Sequence, residues 1–475
     1  MKPRFIFILF PALIFPPNVY AKSLQGIAEE RKSELDSNKV EREKDSPFLQ
    51  NGKYRLRNGL PLAHSQKSVY NLFIMANNSL TGKEFDPSIL PLEFVKLYGG
   101  EPSSVSLFAS PARINIIGEH IDYNGGKVFP AAINKYLYLA IRKRDDDKIF
   151  YNDLRFPGAF EFSINDKFEY KKEDDYANYL NGILSILSRR GNKLDCGFEV
   201  LMCSNVPAGG GISSSSALEC GFAYAISELY GFNLSRIDIA KIGQQSEHEF
   251  MNVNCGIMDQ FIIATAKENT AEVLDCASLE YEHIPLVLGD YRFVVMNTNK
   301  KRKLSDSKYN ERRGECEKGL EILNSHGANL KNLCEMSLEQ FEEKKTFLKA
   351  PIILKRVRHV VTENDRVNKA VSALKSGDLM KLGALLNASH ESLKNDYEVS
   401  GIELDTLAET AQAQDGCIGS RMTGAGFGGC AIALVHKDKV DSFIEAVQKI
   451  YTDKIGYSAG FFSCSSGNGV ARLGS

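Results

Sequence analysis

The segment VPAGGGISSSSALE, Val206 to Glu219, restricts the fold more than any other part of the chain. An apolar run, Phe198 to Cys203, reads as a short strand on one side of it. An apolar-periodic helix is expected from about Ser214 to Tyr230 on the other. Three glycines, Gly209, Gly210 and Gly211, therefore occupy a strand-to-helix turn. With no Cβ in the way, their backbone N–H groups can converge on an anion. The helix start that follows adds unpaired N–H groups and the positive end of its dipole. Serine hydroxyls there can supply a magnesium ligand or further hydrogen bonds. A flexible Gly/Ser linker would need neither flank, so phosphate binding is the better reading. No lysine follows the last glycine, which excludes the GK[ST] nucleotide loop.

The rest of the chain bears on what kind of protein carries such a turn. With 475 residues there is enough for two or three domains with their own cores. The formal net charge of −2 gives no basic excess of the kind nucleic acid or a membrane surface would attract. A small ligand is the default partner. Ten cysteines scatter from Cys196 onward without a CxxC pair, which is neither a zinc pattern nor a disulfide framework. They read as reduced thiols. The first residues point elsewhere: a basic MKPR, an apolar run, and Val19-Tyr20-Ala21 before Lys22 resemble a secretory signal peptide. Residues 23–87 follow, charged and compatible with disorder or a solvated helix in their first part.

Patterned sequence begins near Ser88. Val105 to Ile117 reads as a strand broken at Ser110-Pro111, and Tyr136–Ile141 with Lys148–Tyr151 as a hairpin closed by Asp145, Asp146 and Asp147. Ser235 with Asp238 marks a helix start of capping-box type. Arg292–Met296 is a strand, and the stretch from Asp306 to Gly377 is mostly helical. Gly424–Gly429 leads into a strand over Cys430–Val435, a helix over Asp438–Tyr451 and a final strand over Ser458–Cys464. Strands and helices mix without strict alternation, which favours an α+β fold. A boundary near 285–291 divides the ordered part, giving 88–290 and 291–475.

Two segments concentrate polar groups. ARINIIGEHIDYNGG (Ala112–Gly126) packs Arg113, Glu119, His120, Asp122, Tyr123 and Asn124 into a strand-to-loop passage, which suits a polyhydroxylated ligand and equally a charged turn. SEHEFMNVNCGIMDQF (Ser246–Phe261) sets Asp259 among Ile257, Met258 and Phe261, as a buried base or a helix-capping residue would be. His120 and His248 have no third ligand at a sensible spacing for a metal. RMTGAGFGGC (Arg421–Cys430) resembles a dinucleotide fingerprint but precedes a strand instead of opening a helix, so an oxidoreductase is excluded.

In family order, IIGEHIDYNGG, VPAGGGISSSSALE, NCGIMDQF, SKYNERRGECE (Ser307–Glu317), RHVVTEN (Arg358–Asn364) and GSRMTGAGFGGC (Gly419–Cys430) resemble the galactokinases of the GHMP kinase superfamily. The resemblance covers most of the chain, from about Ser88. It implies an α+β, two-domain GHMP kinase fold with the active site in the interdomain cleft. ATP and Mg2+ are the implied cofactors, galactose the implied substrate, with neither nucleic acid nor a stable membrane association. Asp259 would accept the proton of the sugar C1 hydroxyl, and Arg113 would stabilise the transferring phosphoryl group. Gly209, Gly210, Gly211, Ile212, Ser213, Ser214 and Ser215 would surround the ATP phosphates, with Ser215 and Glu247 holding magnesium. Glu119, His120, Ile121, Asp122 and Tyr309 would line the sugar site.

The chain departs from the family pattern in places. Ala112 replaces a glycine, a mild change if its φ is negative. Ile121 stands where many galactokinases have Thr, and also occurs in N-acetylgalactosamine kinases, which share the GGGISSSSAL loop. An N-acetylgalactosamine kinase and a non-catalytic sensor of galactose and ATP are the alternatives; Arg113, Ser215, Glu247 and Asp259 together favour an enzyme. The resemblance implies a cytoplasmic protein, in conflict with the leader-like residues 1–22.

Overall fold

The computed structural model describes Leu49–Gln50, Lys53–Tyr54 and residues 86–474, apart from 157, 208–210 and 301–304. The leader-like segment and almost all of the charged extension lie outside the described residues. The chain divides between His64 and Ser65 into two units. In the first, Leu49–Gln50 (β1) pairs antiparallel with Lys53–Tyr54 (β2). All that follows concerns the second.

Its larger sheet is built on two long neighbours, Ser106–Ile117 (β3) and Lys127–Lys143 (β4), paired antiparallel. Pro111 offers no N–H to a ladder, and the register shifts between Pro111 and Ala112. The strand continues past the expected break, with Ala112 at negative φ. Beyond β4 come Phe198–Ser204 (β7), Lys148–Asp153 (β5) and Ala159–Ser163 (β6), while Thr270–Asp275 (β8) and Tyr281–Pro285 (β9) extend from the start of β4.

The expected hairpin of β4 with β5 does not form. β7 inserts between them, antiparallel to β4 and parallel to β5. All seven β7 residues are buried, and such a strand needs both edges paired. Gly197 makes the insertion possible, since a Cβ there would stand 1.9 Å from Lys148 O. The Asp145–Asp147 turn wraps this point: Gly197 N–H donates to Asp146 O at 2.6 Å, and Gly197 O accepts from Arg144 N–H at 2.9 Å.

Leu90–Tyr98 (α1) covers one face of this sheet, packing Leu90 and Phe94 on Ala109, Tyr138, Ala140, Leu201 and Cys203. The other face carries Ala177–Arg189 (α2), Ser214–Tyr230 (α3), Arg236–Glu249 (α4) and Met258–Thr265 (α5). Helix α4 opens with the expected Ser235/Asp238 capping box.

The second sheet has the antiparallel order Cys417–Thr423 (β11), Cys430–His436 (β12), Tyr291–Asn297 (β10), Gly460–Cys464 (β13). Helices Ser305–Ser325 (α6) and Leu338–Lys344 (α7) pack on Pro351–Lys375 (α8), which lies against β3 and β4, while Leu379–Ser392 (α9), Ile402–Gln412 (α10) and Val440–Ile455 (α11) pack on the second sheet. β13 is not the last strand. Ala471–Leu473 (β14) returns to pair with Leu107–Ala109 of β3, covering an edge that would otherwise stay open. One continuous apolar cluster runs through both sheets. Among the described residues no helix is long and apolar enough to cross a membrane.

Candidate active site

Strand β3 outruns β14, and its free edge is taken up by the glycine–serine turn: Arg113 N–H donates to Ile212 O at 3.3 Å. The Arg113 side chain, 3 % exposed, then reaches the first turn of α5. Nε donates to Asp259 Oδ1 at 2.7 Å and Nη2 to Oδ2 at 2.6 Å, a two-pronged ion pair, while Nη1 donates to Gly211 O at 3.1 Å. Asp259 keeps 27 % of its side chain accessible.

Ser213 stands at the N-cap of α3 in the left-handed region, φ 63° and ψ 45°. A non-glycine residue there is uncommon and marks a site where the surroundings dictate the backbone. Its hydroxyl donates to Asp259 Oδ2, so it does not cap the helix. The first N–H groups of α3 are left without a side-chain partner at the mouth of the turn, the arrangement that receives an anion. Ile212 is buried, Ser214 and Ser215 are half-buried, and Glu247, in the last turn of α4, is 8 % exposed. Gly209 and Gly210 lie outside the described residues.

The loop after β3 is held by the second sheet. Arg421 of β11 is fully buried; its Nη1 donates to Asn115 O at 3.1 Å and Ile116 O at 3.0 Å, and Nη2 lies 2.6 Å from Glu119 Oε2. Glu119 also accepts from Gly424 N–H at 2.7 Å and from the Asn115 amide. Burial pushes its carboxyl up, opposed by Arg421 and the Gly424 N–H. Thr423 Oγ1 meets the Asn115 backbone at the second irregularity of β3. Gly424, at φ 82°, comes so near the glycine–serine turn that a Cβ would sit 2.6 Å from Gly211 O.

His120, also at positive φ, is buried, and burial followed by the nearby His359 holds it down to about 3. Its neutral ring donates from Nε2 to Ala425 O at 3.2 Å and accepts at Nδ1 from Tyr123 Oη at 2.9 Å. Tyr123 pairs at 2.7 Å with Tyr397, which in turn meets Cys316 Sγ at 3.1 Å. Ile121 is wholly inside the core. Asp122 and Tyr309 are the half-buried members of the expected sugar set. Burial first, then the charge of Asp259, pushes Asp122 up to about 7, against the N–H groups of Tyr123 and Met258. The Tyr309 ring lies 5.4 Å from those of His120 and Tyr123.

The structure thus joins Arg113, Gly211, Ser213 and Asp259 by hydrogen bonds, and sets Asp122 and Tyr309 beside them. Glu119 and His120 spend their polar atoms on protein partners. Sequence reasoning assigned no role to Arg421, Tyr397 or His359, placed Tyr123 only in the polar cluster after β3, and did not join the Ser213 hydroxyl to Asp259. Nothing local in the sequence marks these pairings.

Three family models match: the galactokinase galactose-binding signature over residues 92–143, the GHMP kinases N terminal domain over 178–267 and the GHMP kinases C terminal over 370–453. The galactokinase of Streptococcus suis is 49% identical over 382 residues, 80% of this chain and 97% of that protein. That of Enterococcus faecalis is 47% identical, over 81% and 99%. Among solved structures, Lactococcus lactis galactokinase complexed with galactose superposes with a TM-score of 0.79 at 44% identity, covering 81% of this chain and 99% of that one. A mevalonate kinase, TM-score 0.55 at 20% identity, shares the fold. By these likenesses and the site they coincide with, the chain belongs to the galactokinase family of GHMP kinases.

Proposed function

We propose that this protein transfers the γ-phosphoryl group of ATP to the C1 hydroxyl of galactose, in the cytoplasm, with Asp259 as base and Arg113 as the cation beside it. The observation that carries the reading is the two-pronged Arg113–Asp259 pair at the mouth of the glycine–serine turn. An ionised carboxylate offers about four lone-pair sites. Arg113 and Ser213 take three, which leaves one for a sugar hydroxyl. Phosphoryl transfer asks a protein chiefly for positioning and charge stabilisation. Arg113, always charged, supplies both at the shared boundary of base and phosphate turn. Asp122 and Tyr309 would receive sugar hydroxyls.

Ser215 and Glu247 would hold magnesium. Two hard oxygen donors suit an ion that keeps phosphate oxygens and waters as its other ligands. When bound, it neutralises charge on the β- and γ-phosphates. The same reading places the cleft between domains 88–290 and 291–475, amended by β14, which pairs with the first sheet.

ADP release with ATP, magnesium and galactose, N-acetylgalactosamine or glucose tests the proposal. Turnover is expected with galactose. Asp259→Asn should lower kcat by about 10³-fold or more, with ATP affinity within about twofold by calorimetry. Turnover with N-acetylgalactosamine alone would change the substrate, and loss of ATP binding in Asp259→Asn would refute the role given to that residue.

A further inference from the structure

Glu219 is the last residue of the segment Val206–Glu219, one turn beyond Ser215 on the same face of α3. It is fully buried, and neither carboxyl oxygen makes a hydrogen bond of good geometry. The groups that face it are the Glu247 carboxylate, Gln260 and Ser246. Gln260 and Ser246 are buried, and Gln260 Oε1 and Ser246 Oγ lack good partners too. These two neighbours have telling places in the chain: Ser246 immediately precedes Glu247, and Gln260 immediately follows Asp259.

The packing leaves no slack around them. A Cβ on Gly182 of α2 would stand 2.3 Å from Ser246 Oγ, and one on Gly243 of α4 would stand 2.9 Å from Gln260 Cγ. α3, α4 and α5 therefore meet at a polar knot whose centre is one acid. An apolar side chain of that size would cost the fold less, since a buried ionisable group without full partners is destabilising. Such a group persists where it serves the site.

We propose that Glu219 is a positioning residue for phosphoryl transfer, setting through Ser246 and Gln260 where Glu247 and Asp259 stand relative to Ser215. This rests on the roles given to those three residues above. Glu219 touches neither nucleotide nor sugar. It fixes the mutual placement of three helices, each bringing one group to the reaction.

Glu219→Leu in the full chain tests it, with three readouts: thermal midpoint, ADP affinity with and without Mg2+ by calorimetry, and kcat with galactose. The expected result is a midpoint no lower than the parent's and magnesium-free ADP affinity within about twofold. The gain in ADP affinity that magnesium brings should shrink about tenfold, and kcat should fall about tenfold or more. A magnesium-dependent gain and kcat both within about twofold of the parent would overturn the proposal. So would a fall in midpoint together with magnesium-free ADP affinity, which marks a structural role only. If Glu219→Leu does not fold, Gln260→Met is read by the same three measures and decides in the same way. Should the parent phosphorylate no sugar, the function proposed above fails, while the magnesium-dependent ADP affinity still decides the place of Glu219.

Discussion

Gly256 has no room for a side chain. A Cβ there would lie 1.8 Å from Asp122 Oδ2 and 2.1 Å from its Cγ, so the NCGIMDQF segment and the loop after β3 interlock at a point where one must be bare backbone. Gly256→Ala should push the Asp122 carboxylate aside and leave the Arg113–Asp259 pair in place. Losing a hydrogen bond to a ligand is worth about 1–3 kcal/mol, so KM for galactose should rise about fivefold or more while KM for ATP stays unchanged. Steady-state kinetics with each substrate varied in turn checks this; an equal rise in both would mean that the phosphate turn had moved. At this scale the serine run could be argued from residue type alone. Arg113 and Asp259 took their expected roles from the family resemblance, and the structure brings both against Ser213. Arg421 and Tyr397 were not legible, because their partners lie hundreds or dozens of residues away and nothing local marks the pairing.

Helix α8 runs against both β3 and β4, and Glu363 fastens it there. This buried carboxylate accepts from Gly118 N–H at 3.0 Å and Ser389 Oγ at 2.6 Å, and pairs with Arg366 at 2.6 Å. Burial alone would raise its pKa; Arg366, His359, Arg421 and Ser389 outweigh that and hold it down to about 2. Its folded value lies below the ordinary 4.5. The stability it contributes is therefore fully present above that value and lost as pH falls towards about 2. Glu363→Gln should be less stable at neutral pH by about 3 kcal/mol and should show a shallower fall of thermal midpoint through that acid window. Parallel slopes for parent and variant would contradict the assignment. Elements were largely readable: the helix after the serine run spans Ser214–Tyr230 as its periodicity predicts. Their order in the sheet was not. Nothing in Phe198–Ser204 says which strands it will separate, since an apolar run announces burial without naming neighbours.

At the scale of the whole second unit, the last described strand returns to the long strand β3. β14 covers β3, Val470 N–H donates to Ile263 O at 2.9 Å, and the Arg236 guanidinium donates to Val470 O at 2.5 Å. Removing residues 471–475 should expose the β3 edge. The thermal midpoint should drop by about 5 °C and turbidity on heating should increase, both measurable in one scan. An unchanged midpoint would show that the strand adds nothing to the sheet. The returning strand was missed because three residues are too few for a period to show.

The contact of Gly424 with Gly211, and of Arg421 with Glu119, also sets an order in time. A ribosome would have made the glycine–serine turn, Arg113 and Asp259 long before it reached the glycines that close over them. Until Gly424 is added, the emerging chain lacks one wall around those residues. The contacts of that wall with Gly211 and Glu119 therefore form after everything they cover has already been made.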